Sequence, residues 1–284
     1  MGSLEPFFRR VAIVGFGLIG GSIAQAASRR WPSISIVPIE PVADLRQGVG
    51  GQASMAAVAG ADLVVLAAPV LANIGLLAEL PAHLAPGAIV TDTGSTKRAT
   101  IAAAARLPSI AFIGGHPMAG AARGGLAQAR ADLFDGRPWI LTPPASHAPD
   151  SLARLEAFVE GLGAVPHIMT PELHDRFVGA VSHLPQLTAS ALMHVVGKLA
   201  GDAGLELAGA GLYDTTRLAT SPPGVWRDVA ATNEDVLREA IDALIATLTE
   251  LRGSLSSGQA IDEVFTSACR WRETLQRARG EDQQ

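Results

Sequence analysis

Cysteine is almost absent from this sequence, because Cys269 is the only one among 284 residues. A single cysteine excludes an internal disulfide and fits a reducing compartment such as the cytoplasm. Long apolar runs are also missing, since polar residues interrupt every stretch of about 18 residues. The chain passes from Phe7 directly into a strand-like run, without the apolar segment and cleavage site of a secretory signal. We therefore expect a cytoplasmic protein with no membrane partner.

Charged and aromatic residues are scarce as well. Only 17% of the residues are charged and the net charge is -5, so nucleic acid is not expected as a partner. Aromatic residues account for 5% of the chain, and its alanine-rich segments favour compact helices over a β-sandwich. The histidines and acids show none of the spacings typical of metal sites, so we expect no bound metal.

Seven short apolar runs alternate with helix-length segments in the first part of the chain. This alternation predicts an α/β fold whose mostly parallel sheet is covered by helices on both faces. The predicted strands are 11–14, 34–39, 62–67, 88–91, 111–113, 139–142 and 165–169, the last of them at a sheet edge.

After Thr170 the strand signal ends and the pattern becomes helical. Apolar residues recur at helical spacing over 236–251 and over 261–275, and Asn233 is expected to cap the first of these helices. We predict a doubly wound α/β domain over residues 1–170 and an all-helical domain over 171–284. The wide apolar stripes indicate either a core shared with a second copy, in a homodimer, or packing against the first domain.

The strongest local motif is Gly-x-Gly-x-x-Gly, which joins the first predicted strand to a helix. Gly15 permits a tight turn, Gly17 lets the backbone approach a pyrophosphate, and Gly20 lets the helix pack closely on the strand. Leu18 and Ile19 begin the helix, whose free N–H groups and positive dipole end favour phosphates. The motif is weak alone, but its place in an α/β pattern predicts a Rossmann-type dinucleotide site.

Glu40 stands at the end of the second predicted strand, twenty residues after Gly20. Its carboxylate can accept hydrogen bonds from ribose hydroxyls and would repel a 2′-phosphate, and no Arg or Lys follows it until Arg46. These features favour NAD over NADP; the alternative is a glycine-rich turn followed by a solvated acid. Pro69, after another strand, is either a ribose contact or simply the residue that ends that strand.

Polar clusters follow several predicted strands and helices further along. Together with 15–22, the segments 92–97, 115–120, 174–175, 182–185, 216–219 and 222–228 resemble, in this order, the prephenate and arogenate dehydrogenases of tyrosine biosynthesis. The resemblance runs from residue 11 to about 233, and several motifs in sequence are far more specific than the glycine loop alone.

This resemblance implies an NAD-dependent oxidative decarboxylation. A cyclohexadienol gives the hydride at C4 to NAD+, its C4 hydroxyl loses a proton, and its ring carboxylate leaves as CO2 while the ring becomes aromatic. His116 is the expected proton acceptor, because an imidazole titrates near neutral pH. Ser95 would hold the C4 oxygen or orient the imidazole, although a serine there could also cap the following helix.

The same resemblance implies three substrate-binding residues in the helical domain. Arg217 would clamp the side-chain carboxylate through paired hydrogen bonds, or else form a surface ion pair. Gln186 could donate to a keto or carboxylate oxygen. His183 either contacts substrate or fills a helix kink before Pro185. His174 is read as an ordinary helix residue.

Two departures from the family pattern bear on the substrate. Many relatives have an acid two positions after the glycine that corresponds to Gly120, where this sequence has Ala121-Ala122-Arg123, and many have histidine where Gln186 stands. The missing acid and the neighbouring Arg123 favour a dianionic keto acid such as prephenate. Arogenate, or a 4-amino analogue of prephenate, is the alternative.

Two further interpretations stay open. Other NAD-dependent dehydrogenases that combine Rossmann and helical domains usually rely on a Lys or Asp in the helical domain, where Lys198 is the only lysine and has no motif around it. A non-catalytic NAD sensor would need the glycine loop but not His116.

Overall fold

The computed structural model describes residues 6–40, 51–120, 124–145 and 148–279. The chain divides into two compact units, Met1–Val236 and Leu237–Gln284. The predicted boundary at 170/171 stays a prediction. Arg46, the segment 121–123 on which the substrate argument partly rests, and His147 lie outside the described residues.

A seven-stranded sheet with the order β2-β1-β3-β4-β5-β6-β7 forms the centre of the first unit. Neighbours from β2 to β5 are parallel, β6 is antiparallel to β5, and β7 pairs parallel with β6 at the sheet edge. The predicted α/β class is confirmed, with one strand in each of the seven predicted ranges. The strands are β1 Arg10–Val14, β2 Ser35–Ile39, β3 Leu63–Leu66, β4 Ile89–Asp92, β5 Ala111–Pro117, β6 Pro138–Thr142 and β7 Val165–Ile168.

Helices cover both faces of this sheet. In β1, Val11 and Ile13 belong to one buried apolar cluster, while Ala12 and Val14 belong to another. Successive side chains of a strand point to opposite faces, so a strand buried on both faces is apolar throughout. The helices between the strands are α1 Leu18–Arg30, α2 Val70–Glu79, α3 Arg98–Ala104 and α4 Pro149–Gly161.

After β1 the chain adds β2 on one side of the sheet and then crosses over to add β3 on the other side of β1. In open parallel sheets, ligands bind beyond the carboxyl ends of the strands at such a point. The glycine loop follows β1 and the loop of Pro69 follows β3, so both lie at this edge.

The chain beyond β7 is helical, as predicted. Thr170 caps the first helix there, since its hydroxyl accepts a hydrogen bond from the backbone N–H of Leu173 at 3.2 Å. The helices are α5 Pro171–Val178, α6 Leu184–Leu205, α7 Ala210–Thr215, α8 Pro223–Thr232, α9 Glu234–Gly253 and α10 Gln259–Arg279, with a π-helical turn at Gly179–His183 and a 3-10 turn at Arg217–Thr220. Within the ranges described, no helix has the length and apolarity needed to cross a bilayer.

Candidate active site

The glycine loop has the backbone geometry that its sequence predicts. Gly15 has a φ of +90°, and a Cβ placed there would lie 2.7 Å from the backbone nitrogen of Ala68. A Cβ at Gly20 would lie 2.2 Å from the carbonyl oxygen of Gly15. At Gly17, by contrast, a Cβ would meet nothing within 4 Å. The loop is therefore packed tightly against its own fold at two positions and is open at the third, as a pyrophosphate cradle requires.

Glu40 lies directly beside this loop. Its side chain is buried, and its Oε2 accepts a hydrogen bond from the backbone N–H of Phe16 at 3.1 Å. Leu18 and Ile19 form the first turn of α1, and Gly17 provides no side-chain cap for it. Loop, helix end and acid thus meet at one edge of the sheet, an arrangement that fits a dinucleotide and its ribose.

The loop of Pro69 is held by an asparagine that the sequence pattern did not reveal. Asn73, fully buried on α2, donates to the carbonyl of Leu66 at 3.1 Å and accepts from the N–H of Ala68 at 3.1 Å. Pro69 itself is exposed and precedes α2. Its contact with a ribose stays a prediction.

The contrast between Gly20 and Gly17 gives a matched test of the cradle. We expect Gly20→Ala to lose stability, because its methyl group has to displace backbone. We expect Gly17→Ala to fold normally yet bind NAD+ at least tenfold more weakly, because its methyl group occupies the open space. Thermal unfolding and NAD+ titration would measure the two effects separately. Unchanged NAD+ affinity in Gly17→Ala would contradict a pyrophosphate at this position.

A buried ion pair joins β4 to β5 just before His116. The ammonium of Lys97, fully buried, pairs with the carboxylate of Asp92 and donates to the carbonyl of Gly115 at 2.8 Å. Asp92 also accepts from the N–H groups of Gly115 at 3.1 Å and Gly94 at 2.9 Å. Ser95 lies half-buried between Asp92 and Lys97. Because both of these residues bind Gly115, the loop that carries Ser95 is held against the strand that carries His116.

His116 lies in β5, near its carboxyl end, and is 8% exposed. Its Nδ1 lies 2.8 Å from Nε2 of His174, and Nδ1 of His174 lies 2.8 Å from a carboxylate oxygen of Asp175. His174 and Asp175 are both fully buried on α5. The strand and the helix are thus connected by a continuous hydrogen-bonded series of two imidazoles and one carboxylate.

Asp175 also binds the start of α3. Its two carboxylate oxygens accept from the backbone N–H groups of Lys97 at 2.7 Å and Arg98 at 3.0 Å. The helix begins at Arg98 rather than near residue 96, and the side chain that meets its first N–H groups comes from α5, not from Ser95. The capping alternative for Ser95 is therefore wrong, because a charged acceptor from another element already occupies those donors.

Arg98 and Asn233 extend this network towards α9. The guanidinium of Arg98 donates to Asp175 at 3.1 Å, to Asn233 at 2.8 Å and to Asp235 at 2.7 Å. Asn233 precedes α9 as predicted, but its amide donates to the carbonyl of Asp175 at 3.0 Å and contacts Nδ1 of His183 at 3.5 Å. Asn233 therefore ties three segments together, a role beyond the predicted helix cap.

The buried histidines are held in their neutral forms. Burial lowers the pKa of His116 well below its ordinary value of 6.5, and His174, Lys97 and His183 lower it further. Burial also lowers the pKa of His174, against the hydrogen bond to Asp175. For Asp175, burial raises the pKa, but hydrogen bonds from His174 and from the backbone of Arg98 and Lys97 lower it more, so the carboxylate stays ionised.

His183 ends the π-helical turn Gly179–His183, immediately before α6. Pro185 follows and cannot donate a backbone hydrogen bond, and π-helical turns are frequent at functional sites. His183 is 1% exposed, and burial lowers its pKa to about 4. Its Nε2 has no hydrogen-bond partner among the residues described, while its ring meets Trp226 edge-on at 5.9 Å. The imidazole therefore has one nitrogen left for a ligand.

Gln186 lies one helical turn beyond His183, on the same face of the helix. Its amide donates to the carbonyl of Leu218 at 2.7 Å and to Ser190 at 3.2 Å, and its oxygen accepts from Ser221 at 3.0 Å. Leu218 adjoins Arg217, which is exposed on the 3-10 turn. Gln186 thus holds the turn that presents Arg217, and its own contact with substrate stays a prediction.

The structure brings His116, His174 and Asp175 together, and links them through Asn233 to His183. The proximity of Arg217 to His116 stays a prediction. The sequence pattern included His174 and Asp175 in a matching segment but indicated no role for them. The only signal in the sequence was a histidine next to an acid, which does not show that they meet His116. Among the residues described, no group of three or more histidine, cysteine or acidic side chains is arranged to hold a metal ion.

The two parts of the chain match two family models. Residues 34–168 match the nucleotide-binding domain of prephenate dehydrogenase, and residues 170–267 match its dimerization domain. The chain belongs to the prephenate dehydrogenase family. This assignment agrees with the α/β sheet and the helical chain that follows it.

Individual proteins of the prephenate dehydrogenase family are also similar to this chain. The prephenate dehydrogenase of Bacillus subtilis is 34% identical over 256 residues, which cover 85% of this chain and 69% of that protein. A structure of prephenate dehydrogenase from A. aeolicus, in complex with hydroxyphenyl propionate and NAD+, is 29% identical with a TM-score of 0.83 and covers 99% of each chain. The arogenate dehydrogenase of Synechocystis is 30% identical with a TM-score of 0.79, covering 94% of this chain and 99% of that one.

Proposed function

We propose that this protein oxidatively decarboxylates prephenate to 4-hydroxyphenylpyruvate with NAD+, with His116 as the proton acceptor. The observation that carries the proposal is the buried, neutral imidazole of His116 near the carboxyl end of β5, at the sheet edge where the dinucleotide loop lies. A neutral imidazole can take a hydroxyl proton, whereas an exposed, partly protonated one would do so less completely at neutral pH.

Bound NAD+ would supply the hydride acceptor at this edge of the sheet. Gly15, Gly17 and Gly20, with the start of α1, would hold its pyrophosphate, and Glu40 would bind its adenosine ribose. Glu40 is already oriented by the N–H of Phe16, and its negative charge disfavours a 2′-phosphate. NAD is thus the expected cofactor rather than NADP.

The remaining site residues would bind and align the substrate. Ser95, on the loop fastened by Lys97 and Asp92, would hydrogen-bond the C4 oxygen. His183 would donate from Nε2 to a substrate oxygen, because this buried nitrogen has no partner in the described part of the chain. Holding C4 against the nicotinamide lowers the entropic cost of hydride transfer.

Arg217 would bind the carboxylate of the substrate side chain through paired charge-assisted hydrogen bonds. Gln186 donates a hydrogen bond to the 3-10 turn that carries Arg217, so the backbone at Arg217 is held in a defined position. In Arg217→Lys the fork is lost and the charge is kept, so KM for substrate should rise about tenfold or more with a smaller change in kcat. Equal KM values for substrate in the wild-type protein and in Arg217→Lys would exclude Arg217 from substrate binding.

The experiment that tests the function is NADH formation with prephenate and, separately, with arogenate. We expect turnover with prephenate and an aromatic product. Arogenate is a specific alternative, since a similar structure is that of an arogenate dehydrogenase. A higher kcat/KM with arogenate than with prephenate would show that arogenate is the preferred substrate. Absence of NADH formation with both compounds would overturn the proposed reaction.

The helical part is expected to form a homodimer in the cytoplasm. The family model for residues 170–267 is described as a dimerization domain. In the second unit, several large apolar side chains are about half or more exposed, as expected of a surface that a second copy covers; they are Ile245, Leu248, Phe265 and Trp271. Light scattering should give twice the 29.3 kDa chain mass, and a monomeric mass at micromolar concentration would contradict this assembly.

A further inference from the structure

The hydrogen bonds around His116 determine which of its two nitrogens carries the proton. Asp175 accepts hydrogen bonds from backbone N–H groups and is ionised, so Nδ1 of His174 donates to it over 2.8 Å. Because the His174 imidazole is neutral, its Nε2 carries a lone pair and no hydrogen. The 2.8 Å contact with Nδ1 of His116 is then a hydrogen bond only if His116 donates.

We propose that His174 and Asp175 are positioning residues that hold His116 in its Nδ1–H tautomer, with the Nε2 lone pair directed to the substrate hydroxyl. This inference rests on the proposed function and adds two residues to it. Asp175 fixes His174, and His174 fixes both the ring orientation and the tautomer of His116. In serine proteases an aspartate orients the catalytic histidine directly. Here the acid would act in the same way through one intervening imidazole, that of His174.

The proton and electron count of the step is balanced by this tautomer. A bond forms between Nε2 of His116 and the hydroxyl proton, and the O–H bond breaks. The released electron pair forms the C4 carbonyl bond as the hydride passes from C4 to NAD+. His116 becomes an imidazolium whose Nδ1–H still donates to His174, and the carboxylate of Asp175 stabilises the new positive charge through that imidazole. The opposite tautomer would present an N–H to the hydroxyl and could not accept its proton.

The network fixes Asp175 more strongly than a lone surface acid would be fixed. Its oxygens accept from the backbone of Lys97 and Arg98 and from the guanidinium of Arg98. These donors lie on α3 and on Lys97, the residue just before it, whereas Asp175 lies on α5, so a rotation of the carboxylate would break contacts with another element. The orientation of His116 is therefore set by the packing of α5 against the start of α3.

Nitrogen-15 NMR of the full-length protein with labelled histidine tests the tautomer directly, without any need for turnover. Among the seven histidines, the signals of His116 are assigned by comparison with His116→Asn. We expect His116 protonated at Nδ1 and unprotonated at Nε2, with His174 in the same tautomer. A proton on Nε2 of His116 in the NAD+-bound protein would overturn the inference.

A matched pair of variants at position 174 tests the positioning role. His174→Gln keeps a donor for Asp175 and an acceptor for His116, whereas His174→Leu keeps neither. We expect His174→Gln to retain kcat within about tenfold and His174→Leu to lose about 10²–10⁴-fold in kcat, with KM for NAD+ unchanged. Equal losses in both variants, with the wild-type His116 tautomer preserved, would show a merely structural role. If His174→Leu does not fold, the NMR result on the wild-type protein decides.

The two proposals fail in distinguishable ways. Absence of NADH formation with prephenate and arogenate overturns the reaction but leaves the tautomer measurable. Full turnover with His116 protonated at Nε2 overturns the positioning role of His174 and Asp175 and leaves the reaction in place.

Discussion

His116→Asn should lower kcat by about 10²–10⁴-fold, the contribution of a positioned general base, while NAD+ affinity stays unchanged. The His116 side chain is buried near Lys97, His174 and His183. Asparagine fills much of the same space, but its amide does not accept a proton at neutral pH. Steady-state kinetics and NAD+ titration separate the two effects. His167→Asn is the matched control, because His167 is exposed on the edge strand β7 and its replacement should leave kcat unchanged.

The pH dependence of the wild-type enzyme follows from the lowered pKa of His116. The imidazole is active when neutral, so kcat/KM should fall only as the pH drops through that pKa, which lies well below 6.5. We therefore expect a flat profile from about pH 8 down to pH 6.5, and an acid limb below it. An acid limb centred above pH 6.5, or a His116→Asn variant with more than a tenth of wild-type kcat, would exclude His116 as the acceptor.

Lys97→Met should lower the free energy of unfolding by about 3–5 kcal/mol, because it leaves the buried carboxylate of Asp92 without its counter-charge. Asp92 would keep the N–H donors of Gly94 and Gly115, but these do not neutralise its charge. Urea unfolding measures the loss. The double variant Lys97→Met with Asp92→Asn should recover part of it, because the unpaired charge is then removed.

Arg130→Met is the matched control for the ion pair. Arg130 and Asp132 lie 3.5 Å apart with more than half of each side chain exposed, and an exposed pair contributes about 0–1 kcal/mol. If Lys97→Met costs no more than this control, the buried pair does not fasten β4 to β5 as inferred.

The sequence was most informative where neighbouring residues determine structure. Each of the seven strands lies where a short apolar run predicts it. In central strands such as β1 and β3 the run is continuous, because strands buried on both faces need apolar residues throughout. The glycine loop was predictable in detail, since the requirement for glycine at Gly15 and Gly20 comes from contacts within one strand–turn–helix unit and the loop beside it. The family could be identified from motifs in order along the chain.

The sequence was least informative about partners far apart in the chain. His116 and His174 are separated by 58 residues, and Lys97 and Asp175 by 78, so no local pattern reveals that they meet. The alternative interpretation of Ser95 as a helix cap was wrong for the same reason, because the acid that supplies the acceptor belongs to another helix. Gln186 likewise gave no sign that its amide would hold the turn of Arg217.

The sequence by itself determined the α/β class, the dinucleotide loop and the family, because each depends on local patterns and on their order along the chain, both of which can be read without knowing which segments pack together. Only the tertiary structure decided how the histidines are bonded, since α5 and β5 must pack together before His174 can accept from His116. That packing turns a histidine that the sequence marks as a candidate into one whose proton-accepting nitrogen is specified.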